Sequence, residues 1–117
     1  MNPSPIPNAR SRFDAFEVSL EIIRGLRPIV VRLRTQDAEL SSQLRRAAAS
    51  VALNLEEGSR RVGRDRIHHF RIAAGSAAES RACLRVAEAW GHLEDAEVAG
   101  LLALLDRLLA MCWRLTH

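Results

Sequence analysis

The 117-residue chain has no lysine and no tyrosine, and only two cysteines, two tryptophans and three phenylalanines. Nor does it hold an apolar run near the roughly 18 to 20 residues that a membrane span requires. The opening stretch, MNPSPIPNAR, lacks the apolar core of a secretory signal. A soluble, cytoplasmic protein without membrane contact is expected. Cys83 and Cys112 fall in separate segments with no Cys-x-x-Cys spacing, which argues against both zinc and a disulfide framework. They read as small buried apolar residues.

Chemistry-bearing patterns are equally scarce. No Ser-His-acid or Cys-His arrangement is recognisable, and no Gly-rich phosphate loop. His68 and His69 follow Asp65, and Asp65-x-x-His68 resembles half of a di-iron helix motif. Such a centre needs a second copy and further inward carboxylates, and Glu-x-x-His occurs nowhere. No catalytic residue, metal or cofactor is expected, and the chain does not read as an enzyme.

Alanine and leucine dominate a 48% apolar composition, which favours helix over sheet. At this length the chain forms one domain. Three prolines in the first seven residues make residues 1–10 a flexible arm, with a helical domain over 11–117. Helix 1 is expected from Ser11–Phe13, with Ser11 as cap, to about Arg34; Pro28 kinks it or breaks it in two. Helix 2 follows from about Asp37 to Arg60, and Val62-Gly63-Arg64 is the strongest turn signal in the chain. Helix 3 starts at Asp65 as a cap and ends at Gly91, and helix 4 runs from Asp95 to about Leu115. Four rods of roughly 31 to 40 Å, joined by short turns, make an all-α, antiparallel, up-down-up-down four-helix bundle.

Folding helices 2 and 3 about Val62 pairs positions whose numbers sum to about 125. This sets Ala47-Ala48-Ala49-Ser50-Val51-Ala52 opposite Ala73-Ala74-Gly75-Ser76-Ala77-Ala78. Small side chains let backbones approach, so helices 2 and 3 should be the closest pair. Beside the apolar row Leu44, Ala47, Val51 and Leu55 runs a polar stripe of Arg46, Ser50, Asn54, Glu57 and Arg61. Glu57 can pair with Arg61 at i,i+4, while Ser50 and Asn54 can reach Ser76 or Glu79 on helix 3. Ser50, Asn54, Glu57, Ser76 and Glu79 are therefore read as structural, fixing helix register.

Helices 1 and 4 are fatter. Val18, Leu20, Ile22, Ile23, Leu26, Ile29, Val30 and Leu33 cover an arc of about 200°, where a bundle core needs little more than about 100°. Leu101 to Leu115 cover about 180°. The surplus points to a second copy of the chain, or else to a broad core with scattered exposed aliphatics. Trp90 and Trp113 are expected to pack near one end of the bundle.

All 17 basic residues are arginine, a bias that genome base composition explains as well as function does. Their placement says more. Residues 1–44, 45–71 and 72–117 carry charges of +1, +4 and −2, so the middle segment exceeds the whole net charge of +3. Its arginines, Arg45, Arg46, Arg60, Arg61, Arg64, Arg66 and Arg71, are the candidates for contact with nucleic-acid phosphates. A solvated charged turn is the alternative. No aromatic residue interleaves with them, so base stacking is not supported and backbone binding remains.

The runs QLRRAAASVALNLEEGSRR and HHFRIAAGSAAESRACLRVAEAWG carry a family likeness. They resemble small bacterial four-helix-bundle proteins of the 23S rRNA intervening-sequence family. That family's pattern falls on Gln43, Leu44, Arg46, Ala47, Ser50, Asn54, Leu55, Glu57 and Gly58, then on Phe70, Ala73 or Ala74, Gly75, Ser76 and Glu79. Glu56 departs from it, standing where the family often has Ala, and lowers the local positive charge. Relatives include the accessory variability determinant of diversity-generating retroelements, a basic pentamer that works with a reverse transcriptase and RNA. The resemblance implies a homopentameric ring, binding to RNA or DNA, and a reverse transcriptase or other protein as a partner. An adaptor that docks a protein without touching nucleic acid is the alternative.

Overall fold

The computed structural model describes residues 9–117, in which every regular element is helical: α1 (Ala9–Gln36), α2 (Ala38–Ser59), α3 (Gly63–Ala89) and α4 (Asp95–Thr116). Of the expected arm, residues 1–8 lie outside the described residues, while Ala9 and Arg10 already belong to α1. Ser11 therefore lies within the helix, past its first described residue.

The helix α1 runs unbroken through Pro28. Proline is exposed at this position, so the carbonyl that loses its amide partner, that of Arg24, faces the solvent side. Hydration offsets part of the usual cost of about 3 kcal/mol. Asp37 alone joins α1 to α2, and its carboxylate accepts from the Leu40 N–H at 3.0 Å, satisfying a first-turn amide. The start of α3 differs from expectation. Gly63 has a φ of 61°, a left-handed value that favours glycine. The chain thus reverses there, and α3 begins two residues before Asp65. Val62 precedes it and supplies no side-chain cap. Asp65 falls in the first turn instead, where a carboxylate complements the helix dipole.

The far end of α3 closes as its sequence demands. Gly91 has a φ of 79°, the His92 N–H donates to the Ala87 carbonyl at 2.9 Å, and the Gly91 N–H donates to Glu88 at 2.9 Å. This is a Schellman closure. A capping box then opens α4, with the Glu94 N–H donating to the Glu97 carboxylate at 2.8 Å.

The helices form a ring in which α1 packs on α2, α2 on α3, α3 on α4 and α4 on α1, and the largest interface is between α2 and α3. Their core combines Ile22, Leu26 and Leu33 of α1 with Leu44, Val51 and Leu55 of α2. Phe70, Ala73, Ala77 and Leu84 of α3 and Val98, Leu105, Leu108 and Cys112 of α4 complete it. The body measures 50 × 25 × 19 Å, long and narrow as helices of this length require.

Small residues explain the α2–α3 contact. Ala73 and Ala77 are wholly buried, and Ala47, Ala48 and Ala52 nearly so. Cross-helix hydrogen bonds fix the register: Gln43 to Glu79 at 3.3 Å, Ser76 to Ser50 at 2.8 Å and His69 to Asn54 at 3.0 Å. The paired numbers sum to between 122 and 126, so the register expected from two runs of small residues is the one observed.

Candidate nucleic-acid interface

From Ser50 to Arg61 the polar stripe is joined along the α2–α3 seam by side chains of both helices. Ser76 Oγ donates to Ser50 Oγ, and Asn54 Nδ2 donates to the Ser50 carbonyl at 2.9 Å and to Ser50 Oγ at 3.1 Å. A carbonyl can only accept, so the Asn54 amide is oriented with Oδ1 toward His69 Nδ1. His69 Nδ1 must then carry the proton, which leaves Nε2 turned toward Asp65 Oδ1 at 3.9 Å. Beyond it Asp65 and Glu57 both hold Arg61, at 2.7 and 3.0 Å.

One sequence expectation is corrected by these contacts. Asn54 crosses to His69, neither to Ser76 nor to Glu79, and Glu79 is held by Gln43. The alignment of the alanine runs sets residue 54 opposite about residue 71, two residues from His69, so this partnership was nearly within reach of the same signal. His69, weighed only as a metal ligand, is a structural link instead. Among the described residues no group of three or more His, Cys, Asp or Glu is placed to hold a metal ion.

The seven candidate arginines do not form one patch. Arg45 and Arg46 are exposed on α2 about 15 residues before Arg60, hence about 22 Å away along the helix axis. Arg45 borders a groove between α1 and α2, and Arg46 donates to Ser42 Oγ at 2.8 Å. Arg60, Arg61 and Arg64 gather at the α2–α3 turn with Arg66, and Arg71 lies on α3 about two turns further on.

Within that tip the arginines divide by what their nitrogens touch. Arg66 turns inward: Nε donates to the Gly58 carbonyl at 3.1 Å and Nη2 to that of Ser59 at 3.2 Å. It adds a donor to the Gly58 carbonyl, which also accepts from the Arg61 N–H, and supplies one to the Ser59 carbonyl at the end of α2, so it braces the turn. Hydrogen bonds donated to Asp65 and then to Glu57 raise the Arg61 pKa above its ordinary value, while Arg61 holds the Asp65 carboxyl below its own. Its charge is thus largely matched in place. The side chains of Arg60, Arg64 and Arg71 are exposed and make no hydrogen bond or ion pair among the described residues. These three present guanidinium groups open to a phosphate.

The tryptophans overturn a further expectation. Trp90 is 71% exposed and Trp113 61% exposed, so neither packs into the bundle. Trp113 instead stacks on His117, with ring centroids 4.3 Å apart and planes 10° from parallel. A tryptophan near a helix end reads as packing in sequence, and only the burial pattern of α4 reveals otherwise. Both cysteines are buried, and burial pushes the Cys112 thiol up to about 11, which leaves it protonated at neutral pH. No helix among the described residues is long and apolar enough to cross a membrane.

No curated protein and no solved structure matches the chain. A family model described as 23S rRNA-intervening sequence protein matches residues 14–114. That span takes in parts of all four helices, the small-residue seam and the arginine tip, and the chain belongs to the 23S rRNA-intervening sequence protein family.

Proposed function

We propose that this chain is a non-catalytic, oligomeric nucleic-acid-binding protein whose tip arginines contact backbone phosphates of RNA or DNA. The observation that carries this is the trio Arg60, Arg64 and Arg71, exposed and without a partner among the described residues, in the segment that holds the chain's positive excess. Phosphate binding requires charge density and open donors, and asks for no base-reading geometry. The family name makes large-subunit ribosomal RNA the first nucleic acid to test.

Several observations support the finer points of this reading. The pairs Gln43–Glu79, Ser50–Ser76 and Asn54–His69 descend along α3 as they ascend along α2, which supports an antiparallel, up-down-up-down order. Val31, Leu53 and Val86 are exposed, and a groove of about 390 Å³ lies over Ile23, Val30 and Ala48. Gly75 and Gly100 lie mid-helix with nothing within 4 Å of where a Cβ would stand. Inside a lone subunit such glycines cost about 0.5 to 1 kcal/mol each and bring no packing in return. Close approach by another copy supplies a reason for them, and the family resemblance sets five copies as the number to look for. The same groove favours a second reading, an adaptor that docks a partner protein such as a reverse transcriptase.

The decisive experiment is charge reversal at Arg60, Arg64 and Arg71. Arg61 and Arg66 are left intact because they hold the turn together. Binding to a ribosomal RNA fragment should be lost while the melting temperature stays unchanged. In the unaltered protein, log affinity should fall with log salt by about 0.7 to 0.9 per phosphate contacted. Undiminished binding by the reversed variant at moderate salt overturns the proposal.

A further inference from the structure

Trp113 is a large apolar side chain kept in water, and its surroundings say what it awaits. The stretches 66–78 of α3 and 107–117 of α4 contain no Asp or Glu side chain, whereas they hold Arg66, Arg71, Arg107 and Arg114. The ion pair of Arg81 with Asp106, at 2.7 Å, fixes how α3 and α4 lie against each other. In the antiparallel order, seven residues further along α4 and seven back along α3 set Trp113 level with Ala74. Arg71 is then one turn away, on the side nearer the tip. Asp106 is taken up by Arg81, and Asp65 by Arg61. A flat ring with arginines on its own helix and on the neighbouring one suits a nucleobase, whose π-face stacks on it while its phosphate meets arginine.

The other exposed tryptophan sharpens the contrast. Trp90 ends α3 beside Glu88, Glu94 and Asp95, where hydrogen bonding to Asp95 and burial push the Glu88 carboxyl above its usual range. Its ring lies 6.5 Å from that of His92. Crowded carboxylates repel a polyanion, so an equally exposed indole at that end has no such use. The two tryptophans share exposure and differ in field.

We propose that Trp113, with Arg71 beside it, is a stacking platform for an unpaired base, so that the ligand of this face is single-stranded nucleic acid. This rests on the tip arginines binding phosphate, as above, and adds to it the strandedness of the ligand. A duplex keeps its bases stacked on one another and offers the indole none.

The test compares a labelled oligouridylate with a labelled duplex of equal length at one salt concentration, using Trp113→Ala, Trp113→Phe and Trp90→Ala. Trp113→Ala should weaken oligouridylate binding by about 5- to 100-fold and leave duplex binding unchanged. Trp113→Phe should recover most of the loss, and Trp90→Ala should bind as the unaltered protein does. Circular dichroism should show each variant folded, since both side chains are exposed. Equal weakening of both probes, or none, overturns the platform. So does a change of subunit number in Trp113→Ala by light scattering, because the tryptophan would then belong to a protein interface. If the unaltered protein binds neither probe at moderate salt, the tip reading itself fails and takes the platform with it. If binding depends on Arg60 and Arg64 but not on Trp113, only the platform fails.

Discussion

Gly58 and Gly25 occupy comparable places in two different seams, and their surroundings show that the bundle is built to two standards of fit. On the α2–α3 side, a Cβ at Gly58 would stand 2.6 Å from the Phe70 ring and 3.3 Å from the Arg66 carbonyl. Both are fixed, one by a fully buried aromatic and the other by backbone. On the α1–α4 side, a Cβ at Gly25 would meet Leu101 Cδ2 at 2.7 Å, the free end of a flexible side chain. The first seam is specified by shape and the second by apolarity. Alanines and hydroxyls leave α2 and α3 one way to meet, whereas leucines can repack.

The largest way to break this comparison is Phe70→Ala, which empties the ring's place between Gly58 and the core and should cost about 3 to 5 kcal/mol. Urea unfolding measures it. Gly58→Ala should come next, at about 1 to 3 kcal/mol, because neither neighbour can move aside. Gly25→Ala tests the forgiving seam: the gain of about 0.5 to 1 kcal/mol from replacing a mid-helix glycine offsets a rotamer shift at Leu101 of similar size. A loss there as large as that at Gly58 would refute the distinction between the seams.

The smallest effect concerns the tip. Arg61 depresses the Asp65 carboxyl, so this pair adds stability at neutral pH. Its contribution is lost as pH falls below about 4, through the depressed folded value. Asp65→Asn removes that dependence, so unfolding midpoints of the two proteins should converge on acidification. Both partners are exposed, and the difference at neutral pH should be modest and shrink with salt.

Periodicity and turn chemistry made the helices legible, and the runs of alanine on either side of Val62 made the central register legible. That register held a further partnership, since 54 and 69 meet within a few residues of the alignment that joins 50 to 76. The α3 start was misread because Asp65 looks like a cap, whereas Gly63 permits the reversal two residues earlier. The division among the tip arginines was not legible at all. Arg64 and Arg66 have the same chemistry two positions apart, and only the carbonyls ending α2 decide which one turns inward. The tryptophans misled for a related reason: a ring near a helix end is placed in or out of the core by a rotation of the helix, which composition does not record.

Arg66 has a consequence for how the tip would engage a ligand. Like charges crowded on a short link would ordinarily push it open and let it wave. With one guanidinium anchored on the two carbonyls beneath it, the link is a stiff finger, and its neighbours hold their positions before anything arrives. The proposed nucleic-acid ligand would then have little loop motion to freeze, and more of each new contact would survive as affinity.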